Sequence, residues 1–135
     1  MFRILLIEDD LPAQTELAEA LRALDIQVDT AANPREIEAH LKTCETRPYH
    51  VVLTDYWLNW NSHSVSGDYT YREIRLSCGN TLPIIAASSD MPMWENLKAK
   101  KNDPHLHLIA KIPRGHGSFW NADATILLLR KLLPL

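Results

Sequence analysis

Glycine is scarce in this chain, with four residues in 135, at positions 67, 79, 115 and 117. None belongs to a phosphate-cradling loop between a strand and a helix, which counts against a nucleotide-binding enzyme. Cysteine is scarcer still: Cys44 and Cys78 stand alone, at a spacing that fits no metal-thiolate or redox motif, and they read as reduced, incidental thiols of a cytoplasmic protein. No apolar run approaches the ~18 to 20 residues that span a bilayer. The opening MFRILLIEDD turns acidic too early for a secretory signal. Positive charge is not in excess either: 14 Lys and Arg face 17 Asp and Glu, for a net charge of −3. That balance leaves no electrostatic footprint for nucleic acid and weakens any case for an anionic membrane surface. Internal repeats and low-complexity tracts are absent. The expectation is a single domain over residues 1–135, with no output domain attached.

What is present is alternation. FRILLI (2–7), IQVDT (26–30), HVVLT (50–54), PIIAA (83–87) and LHLIA (106–110) are short apolar or alternating runs that read as strands. Between them lie helical patterns. Leu17, Leu21 and Leu24 recur at helical spacing behind Pro12. Asn33 and Pro34 read as an N-cap and first-turn proline ahead of Ile37, Leu41 and Cys44. Further helices are expected over Asp68–Leu76, from Pro92 to Lys101, and over Asp123–Leu133, with LNWNSHSVSG as a long polar loop. Strands alternating with helices imply βαβ units and a mostly parallel sheet covered on both faces.

In such sheets the functional crevice lies at the carboxyl ends of the strands. The first strand ends in Glu8, Asp9 and Asp10, the third in Asp55, the fourth in Ser88 and Ser89, and the fifth in Lys111. Carboxylates, hydroxyls and one ammonium thus gather on one edge if the strand order is 2-1-3-4-5. Clustered carboxylates repel one another unless a cation sits among them. Mg2+, which takes hard oxygen ligands and keeps several waters, suits such a set. Asp55 at the end of a buried strand fits a carboxylate that forms an aspartyl-phosphate. Two plainer roles stay open: Asp55 as a helix cap, and Glu8, Asp9 and Asp10 as acids favouring a helix N-terminus.

ILLIEDD, VVLTDYWL, PIIAASS and IAK, in that order across nearly the whole chain, resemble the receiver domain of two-component response regulators, the family typified by the chemotaxis response regulator. The resemblance implies a flavodoxin-like, doubly wound (βα)5 three-layer sandwich with sheet order 2-1-3-4-5. It implies Asp55 as phosphoacceptor, Ser88 as the switch hydroxyl and Lys111 as the phosphate contact. Mg2+ would be held by Glu8, Asp9, Asp55 and the backbone carbonyl of Trp57, with Asp10 a second candidate ligand. The implied partners are a histidine kinase or histidine phosphotransfer protein and a downstream protein, with homodimerisation through the helix 4 to helix 5 face also open. No catalysis beyond self-phosphorylation and autodephosphorylation is implied. The alternative is a pseudo-receiver that only docks or dimerises.

Four departures from the family pattern stand out. Asn59 occupies the usual proline position after the acceptor, and the first glycine there, Gly67, comes four residues late. Ile112 separates Lys111 from Pro113. Leu108 replaces the aromatic residue often found three positions before the lysine, leaving His107 or Trp94 as substitutes.

Overall fold

The computed structural model describes residues 1–135. In chain order the elements are β1 (Arg3–Ile7), α1 (Leu11–Arg22), β2 (Gln27–Ala31), α2 (Pro34–Leu41), β3 (Val51–Asp55), β4 (Leu58–Trp60), β5 (His63–Val65) and α3 (Gly67–Cys78). They continue with β6 (Ile84–Ser88), α4 (Pro92–Lys101), β7 (Leu106–Ala110), β8 (Ile112–Arg114), β9 (Gly117–Phe119) and α5 (Ala122–Leu132). The five apolar runs pair, all in parallel, in the order β2-β1-β3-β6-β7. Counting only those five, this is the expected 2-1-3-4-5 flavodoxin-like sheet. The other four strands form two small antiparallel hairpins, β4–β5 and β8–β9.

The period of two along each strand sorts side chains to the two faces. Ile4, Leu6, Val51, Leu53, Ile85 and Ala87 meet Leu17 and Leu21 of α1 and Leu129 of α5. Leu5, Ile7, Val52, Ile84 and Ala86 meet Ile37 and Leu41 of α2, Ile74 of α3, and Trp94 and Leu97 of α4. Each fully buried Leu or Ile contributes roughly 1.5–3 kcal/mol, so a sheet apolar on both faces is held by two cores at once.

Local signals explain most boundaries. Asn33 Oδ1 accepts the Glu36 backbone N–H at 3.0 Å, the N-cap anticipated at Asn33-Pro34. α4 ends on Asn102 in the left-handed region, φ 48°. α1 closes at Arg22, so Leu24, placed in its stripe by spacing, lies beyond the helix in a turn.

The cysteines depart from expectation. Cys44, just past α2, and Cys78, the last residue of α3, are joined as a disulfide with Cα atoms 5.9 Å apart. They are not the free thiols read from the sequence. α2 and α3 lie side by side on one face of the sheet, and packing brings together two residues that no local spacing could pair.

Candidate functional site

The sheet register lines up the strand ends. Asp55 closes β3 opposite Ala87 of β6, one residue short of Ser88. Ser88 in turn accepts the Lys111 backbone N–H through its carbonyl at 3.1 Å. Glu8, Asp9 and Asp55 each bring a carboxylate oxygen within 4.8 Å of the others. Lys111 Nζ lies 3.2 Å from Asp55 Oδ2 and also bonds Glu8 Oε1. Ser88, Ser89, Asp10 and Trp57 line the same cavity, of about 220 Å³. Every residue singled out at the strand ends therefore borders one hollow. Asp10 sits at its rim as the N-cap residue of α1, where its side chain makes no capping bond.

The hydrogen bonds divide the labour among these groups. Asp55 Oδ1 accepts the Tyr56 backbone N–H at 2.8 Å, which fixes the carboxylate's rotation. Ser88 Oγ accepts the Asp90 N–H at 2.9 Å. Its hydroxyl proton is the group's donor toward the cavity. Glu8 is wholly buried, and both its oxygens are engaged: Oε2 accepts the Asp10 N–H, and Oε1 takes Lys111 together with the Trp120 indole N–H at 3.1 Å.

Electrostatics follow from that crowding. Burial, then the neighbouring Asp55 charge, push Glu8 up to about 7 against the pull of Lys111. Burial likewise raises Asp55, with Lys111 and the Tyr56 N–H opposing it. For Lys111 burial disfavours the charge, but Asp55 and Glu8 outweigh it and hold the ammonium above its ordinary value. Two carboxylates facing one ammonium, with Asp9 adding a third negative charge, leave the hollow short of positive charge.

The donor set fits a hard cation. Asp9 and Asp55 present carboxylate oxygens to the hollow, the class of ligand Mg2+ takes along with water. Asp9 Oδ2 accepts the Asn59 N–H at 2.9 Å, and its other oxygen carries no such bond. Glu8, the third carboxylate of that group, also holds Lys111 and the Trp120 indole through Oε1 and the Asp10 N–H through Oε2.

Sequence reasoning missed what the two hairpins do. The polar segment after Asp55 folds as β4–β5 around Asn61 and Ser62, both with positive φ (51° and 62°). That is the backbone pattern of a type I′ turn, and it delivers the Asn59 N–H to Asp9. The segment after Lys111 folds as β8–β9 around Gly115 (φ 62°) and His116 and delivers Ser118 to the cavity. Pro113 lies inside β8, and no peptide bond in the chain is cis. The available cues, Asn-Ser and Gly-His between short polar strands, are weaker than the Asn-Gly or Asp-Gly that marks a hairpin. No signal ties Trp120 to Glu8. Trp94, offered as an aromatic substitute, is fully buried and donates its indole N–H to the Ala87 carbonyl at 3.0 Å.

No family model matches the sequence, and no curated protein sequence matches it. Solved structures do. The non-phosphorylated receiver domain of HemR from Leptospira biflexa superposes with a TM-score of 0.74 at 20% identity, covering 100% of this chain and 96% of that one. TrrA from Thermotoga maritima, a response regulator in complex with Mg2+–BeF, gives 0.67 at 22% identity over 98% and 100%. The receiver domain of the hybrid histidine kinase CckA gives 0.71 at 17% identity over 97% and 98%. The fold is that of response regulator receiver domains. The receiver fold thus places the acidic hollow, Ser88 and Lys111 at the carboxyl edge of its sheet.

Proposed function

We propose that this chain is a phosphoryl-accepting receiver that uses Asp55 as nucleophile. The observation that carries the reading is the meeting, in one hollow, of Asp55 with the Lys111 ammonium at 3.2 Å, the Asp9 and Glu8 carboxylates and the Ser88 hydroxyl. A carboxylate oxygen of Asp55 attacks phosphorus of a phosphohistidine on a histidine kinase or phosphotransfer protein. The bond from phosphorus to the imidazole nitrogen breaks, and the imidazole takes up a proton. Mg2+ held by Asp9, Asp55 and the Trp57 carbonyl, with Asp10 as a further candidate, would neutralise charge on the phosphoryl oxygens. Lys111 offers those oxygens a fixed ammonium and Ser88 a hydroxyl donor. The chain turns over no separate substrate; water later cleaves the acyl phosphate to regenerate Asp55 and release phosphate.

Phosphorylation would replace the single negative charge of the Asp55 carboxylate by an acyl phosphate of roughly −1.5 to −2 charges beside Ser88 and Lys111, at the ends of β6 and β7. The adjoining loops and the α4–β7–α5 face would shift, altering affinity for a downstream protein in the cytoplasm. In the TrrA structure an Mg2+–BeF group is present, and the same probe tests this chain. Intact-mass measurement after a small phosphodonor and Mg2+ should show the gain of one HPO3 group, and Asp55→Asn should abolish it. A wild-type mass that stays unchanged overturns the reading.

A second reading, a pseudo-receiver that docks or dimerises without a phosphoryl cycle, draws on one feature. Both Glu8 oxygens are satisfied by the chain's own donors. Failure to bind beryllofluoride with Mg2+ would favour it.

A further inference from the structure

α3 and α4 border a groove of about 420 Å³ on the sheet face that α2 also covers. Each helix turns one stripe toward it. Asp68, Tyr71, Arg72, Arg75 and Leu76 line it from α3, and Met93, Asn96, Leu97, Lys100 and Lys101 from α4. Both sets follow the spacing i, i+3, i+4, i+7 and i+8, which gathers side chains on a single face of a helix. The floor is apolar: Tyr56, Tyr71 and Leu97 are buried there, while Leu76 stands 76% exposed at the edge. Arg72, Lys100 and Lys101 are exposed and form no ion pair with any carboxylate of the chain. Asp68 is the only acid on the groove. Positive charge is therefore concentrated here, in a chain whose net charge is −3.

We propose that this groove docks a short acidic segment of a partner protein. The segment seats an apolar side chain on Tyr56, Tyr71 and Leu97 and sets carboxylates beside Arg72, Lys100 and Lys101. A small-molecule site would aim a few buried polar groups at its ligand. Here those groups are already committed. Tyr71 and Arg75 both bond Asp103, and Arg75 also donates to the Gly79 and Leu82 carbonyls. The polar groups left free are exposed cations at the rim, and an apolar floor within a polar rim is the anatomy of a protein interface. Each stripe runs for ~12 Å at the helical rise, the length of about two turns of a helical occupant. The groove is separate from the α4–β7–α5 face, because Glu95, Lys98 and Asn102 turn another side of α4 to a hollow shared with Leu108 of β7. It needs no phosphoryl transfer, so it stands or falls apart from the reading above.

Selection of a displayed library of random octapeptides on the full chain tests this, followed by fluorescence anisotropy with a labelled copy of the most enriched peptide. Enriched sequences should carry acidic residues flanking an apolar one. Lys100→Glu with Lys101→Glu is expected to weaken the labelled peptide about tenfold, since two exposed charge pairs are lost and replaced by repulsion. Leu76→Ser should weaken it as well. Arg130→Glu with Lys131→Glu makes the same change of charge at exposed positions of α5, on the other face of the sheet, and should leave the affinity unchanged. Failure to enrich any peptide, or enrichment without an acidic bias, overturns the inference. Equal losses in the two double variants also overturn it, because net charge and not the groove would then be at work. Displacement by single-stranded DNA of random sequence as readily as by unlabelled peptide would assign the patch to nucleic acid and overturn it too.

Discussion

Trp120 donates its indole N–H to Glu8 Oε1 at 3.1 Å, on the same carboxylate oxygen that Lys111 bonds. The two donors flank the β8–β9 hairpin, so one buried carboxylate closes the loop from below and aims the lysine at Asp55 from above. Trp120→Phe keeps most of the ring's packing and removes only this donor. A hydrogen bond to a charged group contributes about 1.5–3 kcal/mol. Urea unfolding should show a loss of that size, without the larger cost of a cavity. A variant as stable as the parent would mean that Glu8 is held by Lys111 and the Asp10 N–H alone.

Gly67 opens α3 where two aromatic rings leave no room for a side chain. A methyl group there would sit 2.5 Å from Tyr56 Cδ2 and 2.6 Å from Trp94 Cη2. Tyr56 carries the N–H that orients Asp55, and Trp94 bonds the Ala87 carbonyl beside Ser88. Gly67→Ala is expected to destabilise by about 1–3 kcal/mol through overpacking. If Asp55 accepts phosphoryl as proposed, its phosphorylation by a small phosphodonor should also slow, because the displaced ring belongs to the residue whose N–H orients the Asp55 carboxylate. Normal phosphorylation kinetics in a destabilised variant would show that the aromatic pair supports the fold and not the site.

The Cys44–Cys78 bridge closes a loop with a sequence separation of 34. Constraining a loop of that length in the unfolded chain is worth about 4 kcal/mol at most on the chain-entropy account. Cytosolic proteins are usually kept reduced, so both states are worth measuring. Oxidised protein should resist alkylation after denaturation and melt higher than protein treated with dithiothreitol. Cys44→Ala should melt near the reduced form. Equal melting of oxidised and reduced protein would assign the pair's contribution to packing alone.

Much of this molecule was legible because strand and helix periods differ. Leu106–Ala110 and Pro92–Lys101 have the bounds their patterns indicate, and the other sheet strands and helices differ by at most two residues at either end, except α2, which stops at Leu41 and leaves Cys44 of its expected stripe in a turn. The site acids and Lys111 were legible because each directly follows an apolar run, and the carboxyl edge of a parallel sheet collects whatever sits there. The hairpins were not legible. Their strands are three residues long and largely polar, and their turns lack the strongest dipeptides. Trp120 and Ser118 reach the site only because those hairpins fold back, which is a tertiary event with no local periodicity. The cysteine pairing escaped for the same reason: two helix ends meet only after α2 and α3 have packed.

Asp103 gives the acid limb of stability a specific origin. Oδ2 accepts the Tyr71 hydroxyl at 2.6 Å and Arg75 at 3.0 and 2.8 Å, and Oδ1 accepts the His105 N–H at 2.8 Å. Burial alone would raise this carboxyl, but Tyr71, the His105 N–H and Arg75 outweigh it and hold the group below its ordinary range. A carboxyl depressed in the folded state binds fewer protons there than in the unfolded chain. Its contribution is therefore complete above the unfolded value of about 3.9 and disappears as pH falls through the lower folded value. Asp103→Asn leaves Arg75 without its anion in a largely buried setting, a loss of about 3 kcal/mol or more near neutrality. Urea unfolding of both proteins at pH 7 and again near pH 3 should show the gap narrowing at the lower pH, since the unfolded parent then takes up a proton at Asp103 that the folded state resists. A gap of constant size would place the acid sensitivity elsewhere, with Asp29, held below its ordinary range by Tyr49 and Arg3 against the opposing effect of burial, the next group to replace.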